Sequence, residues 1–175
     1  QTTFLPALHS PIWSMEWSPQ MDRLASCTTE NGEVFVRDVH TGAVLHTLNH
    51  PEGVWTLAWN PEGERLATGC SDDNAYVWDA VTGRLIHTLR GNKNVPARVR
   101  FDASGSVLAT AAWGGVTRFW DSRSGEELLQ APAGLLTFAS RALNWAYRAE
   151  DGGLSLGLAE FVPSQAFTTI VADDP

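Results

Sequence analysis

One pentapeptide recurs along the chain: Asp38-Val-His-Thr-Gly42, Asp79-Ala-Val-Thr-Gly83 and Asp121-Ser-Arg-Ser-Gly125, at spacings of 41 and 42 residues. Its physical demand is a tight turn, in which Asp offers a side-chain acceptor to the following backbone N–H groups and Gly takes the positive-φ position. A second block keeps the same period. Trp17-Ser-Pro leads to Leu24-Ala-Ser26, Trp59-Asn-Pro to Leu66-Ala-Thr68, and Phe101-Asp-Ala to Leu108-Ala-Thr110. Two independent motifs sharing one period make the chain an array of supersecondary units, each of which buries its apolar face only against its neighbours.

Within each unit, short apolar runs alternate with turn signals. In the middle unit the runs are 54–59, 65–70, 75–79 and 85–89, separated by Asn60-Pro-Glu-Gly63, by Ser71-Asp-Asp-Asn74 and by the Asp–Gly pentapeptide. Runs this short, bounded by Pro, Gly, Asn and Asp, predict four antiparallel strands per unit, and no segment sustains a helical period. The fold class is therefore all-β. The units run over 6–50, 51–91 and 92–134, followed by a divergent unit at 135–175, and residues 1–5 read as the outer strand of a preceding unit. In the divergent unit Leu136-Thr-Phe138, Trp145-Ala-Tyr147, 154–160 and 167–171 stand where strands belong. Ala159-Glu160 occupies the Trp-Asp position there, and the turn has become Val162-Pro-Ser-Gln-Ala166, without glycine. The partial first unit, and a first residue that is Gln rather than Met, lead us to expect a longer parent chain.

Composition narrows the function classes. Apolar residues at 43% against 18% charged predict a packed core rather than disorder. Net charge is −8 and the basic residues are scattered singly, so no stripe exists to track phosphates and a nucleic-acid partner is not expected. All but one of the basic residues are Arg, the exception being Lys93, which hints at a GC-rich bacterial coding sequence. No run approaches the ~18 apolar residues of a membrane span, and no signal peptide is visible, so a cytoplasmic chain without a membrane partner is expected. Cys27 and Cys70 occupy comparable positions of adjacent units and read as small buried strand residues, not as a disulfide framework.

At Tyr76-Val-Trp78-Asp79, followed by Thr82-Gly83 and preceded by Asn60-Pro-Glu-Gly63, the sequence resembles the WD-repeat (WD40) proteins, bacterial WD40 arrays in particular. The resemblance covers essentially the whole chain, as three good repeats and one divergent one. It implies four-stranded blades packed radially as a β-propeller, about four of them here, within a ring of roughly six to eight. Remaining blades, or a second copy, are then needed to close the ring. The resemblance also implies a structural tetrad of His50, Thr68, Asp72 and Trp78, in which the carboxylate orients the imidazole and the hydroxyl meets the indole N–H. The other units depart from it. The first offers His9 and Ser26 but has Asn31 and Arg37 in the Asp and Trp positions; the third keeps Thr110 and Trp120 but has Asn92 and Gly114 for His and Asp. Only the middle blade is expected to be fully braced.

No catalytic constellation, phosphate loop or metal-ligand spacing is present, and no cofactor is implied. His46 and His87 recur with the period and read as outer-strand positions. The carboxylates of Asp72, Asp73, Glu150 and Asp151 read as solvated turns, since a calcium loop needs a denser run of oxygen ligands. On the innermost strands Ser14, Glu16, Thr56, Ala58, Arg98 and Arg100 leave Glu16 as the one carboxylate for the alternative reading, a propeller-fold enzyme with its site in the central channel. The resemblance places Trp13, Trp55 and Trp113 on the channel face, with Glu30 and Ser71 in equivalent turn positions, and aromatic anchors are enriched in binding hot spots. The competing reading of Trp13 and Trp55 is packing between blades, in phase with Met15, Trp17, Leu57 and Trp59. The expected function is a non-catalytic scaffold that presents this face to a protein or peptide, as the last part of a larger regulatory or signalling protein.

Overall fold

Short alternating runs separated by Asp, Asn and Gly turns can pair only with their sequence neighbours, and they do. A computed structural model describes residues 11–113 and 115–131 in full, together with the backbone at 134–138, 144–148 and 154–158. The first sheet is β1 (Ile12–Trp17), β2 (Arg23–Thr28), β3 (Glu33–Asp38) and β4 (Val44–Asn49). The second is β5 (Val54–Trp59), β6 (Arg65–Cys70), β7 (Ala75–Asp79) and β8 (Leu85–Leu89). The third is β9 (Pro96–Phe101), β10 (Val107–Ala112), β11 (Thr117–Asp121) and β12 (Glu127–Ala131). A fourth sheet contains β13 (Gly134–Phe138), β14 (Asn144–Arg148) and β15 (Leu154–Leu158). In each sheet the strands pair antiparallel in chain order. The first strands β1, β5, β9 and β13 are adjacent from sheet to sheet, so the sheets stack radially as propeller blades. The strands of the second sheet have the bounds expected from its turn signals. The proposed strands at 1–5 and 167–171, the turn at 162–166, and His9, Gly114, Glu150, Asp151, Ala159 and Glu160 lie outside the described residues.

The core lies between blades, and strand alternation builds it. Leu57, Leu66, Tyr76 and Trp78 pack on Ala25, Cys27, Val34, Val36 and Leu48 of the first sheet. From the opposite face of the same strands, Ala58, Ala67, Ala75 and Val77 receive Val99, Leu108 and Trp120 of the third. The second sheet thus has a bulky face and a small-residue face, and bulky meets small at both of its junctions, which is how layers interdigitate at native density.

Polar clamps repeat with the period. Arg23 donates from Nη1 to the Ala80 carbonyl at 3.1 Å and from Nη2 to the Gly63 carbonyl at 2.7 Å, with its guanidinium over the Trp59 ring. Arg65, one period on, donates to the Ser122 carbonyl at 2.8 Å. The pentapeptide turns form as expected: Asp38, Asp79 and Asp121 accept from backbone N–H groups two or three residues on, and Gly42, Gly83 and Gly125 have φ of 73°, 72° and 75°. His46 and His87 reach these turns from the preceding blade, with Nε2 bonded to the carbonyls of Val81 (3.0 Å) and Arg123 (2.7 Å). The imidazoles lie so close that a Cβ on Gly83 or Gly125 would stand 2.7 or 2.9 Å from a ring atom. The outer-strand histidines are therefore latches between blades.

Candidate functional site

The tetrad residues form a relay whose shape differs in two ways from the expectation. Trp78 donates from Nε1 to Thr68 Oγ1 at 3.2 Å, and Thr68 Oγ1 lies 2.8 Å from His50 Nε2. His50 Nδ1 meets the Gly32 carbonyl of the preceding blade at 3.0 Å. A carbonyl only accepts, so the neutral ring carries its proton on Nδ1 and Nε2 accepts a hydrogen bond from the Thr68 hydroxyl. Burial pushes the His50 pKa below its ordinary value of 6.5 and supports this neutral form. Asp72 is not the group that orients the imidazole. Its carboxylate accepts from the Tyr76 hydroxyl and the Asn74 backbone N–H. Burial opposes its ionisation, but those bonds outweigh it and hold the carboxyl below 3.8. The second difference is in the third blade. There Trp120 donates to Thr110 Oγ1 at 2.9 Å and Thr110 donates to Asn92 Oδ1 at 2.7 Å, so an amide supplies the acceptor that imidazole supplies in the second. The middle blade is not alone in being braced.

The tryptophans come together. Trp13 and Trp55 meet edge to face with ring centroids 4.9 Å apart, and Trp55 meets Trp113 at 5.3 Å. Three blades contribute one indole each to a continuous ladder. Its cause is a β-bulge: β1 pairs with β2 in a register that shifts between Ile12 and Ser14, and β5 with β6 in one that shifts between Val54 and Thr56. Trp13 and Trp55 are the extra residues, and a bulge re-aims the side chain it inserts. The bulges take them out of strict alternation with Met15 and Leu57, and their rings meet one another across neighbouring blades. The third blade has Ala97 at the same bulge and supplies Trp113 from its β10–β11 turn instead. Ser71, in the equivalent turn of the second blade, accepts from Trp55 Nε1 at 2.7 Å and fixes the middle ring. Trp13 is 58% and Trp113 68% exposed, while Trp55 between them is half-buried. Glu30 stands exposed in the first blade's turn, beside Thr29. There the chain entering β5 passes so closely that a Cβ on Gly53 would lie 1.9 Å from the Thr29 carbonyl oxygen.

Other candidate groups are engaged elsewhere. Glu16 on β1 pairs with Arg100 on β9 at 3.4 Å, across the line of inner strands. Burial pushes the Cys27 and Cys70 thiols up to about 11, where they stay protonated and unreactive near neutrality. Among the described residues no three His, Cys, Asp or Glu side chains are grouped so as to hold a metal ion.

Radial four-stranded sheets with repeated Asp–Gly turns and a Trp–Thr relay define a WD40-repeat protein. Family models agree: that of the anaphase-promoting complex subunit 4 WD40 domain matches residues 15–101, and that of the WD domain, G-beta repeat, matches 83–121. The chain belongs to the WD40-repeat family. It is 39% identical over 67 residues to a periodic tryptophan protein 2 homolog of Schizosaccharomyces pombe, covering 37% of this chain and 8% of that one. It is 27% identical over 129 residues to a DDB1- and CUL4-associated factor 11 homolog of Caenorhabditis elegans, covering 71% of this chain and 21% of that one. Among solved structures it superimposes on U3-55K and on the RRP9 WD40 repeats, each with a TM-score of 0.77 and 14% identity over 94% of this chain. At that identity the likeness shows the fold alone. The chain spans about half of those structures and about a fifth or less of the curated relatives. These relatives come from a yeast and a nematode and give no support to a bacterial resemblance.

Proposed function

We propose that this chain is part of a non-catalytic protein-interaction scaffold and that a protein or peptide partner docks on the Trp13–Trp55–Trp113 face. One observation carries the reading: three adjacent blades converge their indoles into a single ladder whose outer members stay largely in water. Covering such a ring is worth on the order of 3 kcal/mol at ~25 cal/mol per Å², before the costs of association. Rigid aromatic anchors on a fixed scaffold lose little entropy on binding, which is the chemistry of a hot spot. Relatives named as factors associated with DDB1 and CUL4 support a protein as the partner class. In this reading the chain belongs to a larger regulatory protein, and further blades or a second copy complete the ring.

Affinity capture by the immobilised chain tests the proposal, with Trp13→Ala and Trp113→Ala compared to the parent at equal thermal stability. The expected result is that both substitutions remove the same captured proteins. Capture that is unchanged in both folded variants removes this face from the function.

A further inference from the structure

Resting on the docking face just proposed, we infer that its ligand is a proline-rich segment in the polyproline II conformation, with prolines three residues apart and basic residues beside them. Spacing is the first argument. Steps of 4.9 and 5.3 Å place the outer rings at most about 10 Å apart, and one polyproline II turn advances about 9 Å, at three residues of ~3.1 Å. Prolines at i and i+3 lie on one side of that helix, so one stacks on Trp13 while the next stacks on Trp113. Trp55, held by Ser71, forms the floor between them.

Hydrogen bonding separates this ligand from an α-helix with apolar anchors at similar spacing. The indole N–H groups of Trp13 and Trp113 have no hydrogen-bond partner among the described residues, so a ligand that covers the rings must offer them acceptors or leave buried donors unpaired. A helix spends its carbonyls on itself. A polyproline II segment has no internal hydrogen bonds, and its carbonyls are free to accept from both indoles. Ring contact excludes the other aromatic ligand class. An ammonium caged by aromatics sits within ~6 Å of several ring faces at once. Here the rings touch one another edge to face, so no cation fits between them and the ladder offers a surface rather than a cage.

Charge selects the flanks. The chain carries a net −8, which steers cationic partners toward it. Glu30 and Glu52 are exposed on either side of the Thr29–Gly53 contact, next to the Trp13–Trp55 end of the ladder. Asp73 is exposed in the Ser71 turn beside Trp55, and Lys93 stands on the third-blade side, two residues from Val95, whose carbonyl accepts from the Trp113 backbone N–H at 3.3 Å. Basic residues in the ligand therefore belong at its Trp13 end.

The test is a titration of the chain with a synthetic peptide of Pro-Ala-Ala-Pro repeats carrying Arg at one end, read by the indole N–H resonances and tryptophan fluorescence. The expected result is saturable binding that shifts the Trp13 and Trp113 N–H signals more than that of Trp55. Trp113→Ala is expected to weaken binding about tenfold or more, while Trp113→Phe, which keeps a ring and loses the donor, falls between. A peptide of equal charge with Ala for Pro is expected not to bind. Equal binding of that control, or displacement of the Pro peptide by tetramethylammonium, overturns the inference. So does a failure of the Pro peptide to bind while partner capture still depends on Trp13 and Trp113, and that result leaves the docking face standing. Loss of both removes the docking face as well.

Discussion

At the scale of single residues, the two relays show that the brace is a set of hydrogen-bonding roles rather than a set of residue types. Asn92 Oδ1 and His50 Nε2 both accept a buried Thr hydroxyl that in turn accepts a Trp indole. Asn92→Ala is thus expected to destabilise the chain by about 1–3 kcal/mol, the cost of orphaning the Thr110 hydroxyl. Urea unfolding checks it, and an unchanged midpoint would mean that the third blade is not braced. The roles differ in pH response. Because the His50 pKa is lower in the folded chain, the unfolded chain binds more protons between that value and 6.5. Stability therefore rises with pH across this window, is lost as pH falls through it, and reaches its full value above 6.5. His50→Asn, which copies the third blade, should remove that acid-side loss. The turn carboxylates of Asp38, Asp79 and Asp121, held below 3.8 by backbone donors (against burial at Asp121), act only at lower pH. Parent and variant should consequently separate between pH 6.5 and the carboxylate range, and parallel profiles there would contradict the burial-lowered pKa of His50. The amide at residue 92 was visible in the sequence as a departure from histidine. Its equivalence was legible only by asking which groups accept a proton. The Gly32 carbonyl was not legible at all, since backbone acceptors leave no trace in side-chain spacing.

At the scale of elements, the period and the turn chemistry carried the strand assignment. Asp79 and Gly83 mark a turn because an Asx acceptor and a positive φ are local demands, which is why all strands of the second sheet stood at their expected bounds. Bulges are different. Whether Trp13 follows the alternation of Met15 or is an inserted residue depends on hydrogen bonding to β2, so the sequence left packing and docking both open for Trp13 and Trp55. The histidine latch also belongs to this scale, because it joins β4 of one blade to the β7–β8 turn of the next. Gly83→Ala combines left-handed strain with a Cβ 2.7 Å from His46 Nδ1, and should cost about 2–4 kcal/mol. In a His46→Ala background the contact is gone and only the ~1–2 kcal/mol of backbone strain remains. A double-mutant cycle on unfolding midpoints measures the difference, and strictly additive effects would mean that the imidazole does not pack on the turn.

At the scale of the whole molecule, the alternation of bulky and small faces gives the array a direction. The second sheet turns Leu57 and Trp59 toward the first, where Leu57 is 1% exposed and Trp59 donates to the Glu16 carbonyl at 3.0 Å. The first sheet turns its equivalents, Met15 and Trp17, the same way round the array, which is away from the second sheet, and they are 57% and 49% exposed. An apolar face of this kind favours association. Sedimentation of the 175-residue chain should give a concentration-dependent mass above the monomer, and Met15→Lys with Trp17→Lys should lower it. A monomer at all concentrations would show that this face needs no cover. Docking on the tryptophan ladder uses a different surface, set by the bulges at the end of the blades rather than by their sides.

That separation makes radical footprinting of the bound chain the most direct test of the docking face. With a captured partner in place, oxidation of Trp13 and Trp113 should fall severalfold. Met21, 61% exposed at the opposite end of β1, and Met15, on the side face, should react as in the free chain. Protection of Met21 or Met15 with Trp13 and Trp113 still fully reactive would place the partner elsewhere and contradict the account.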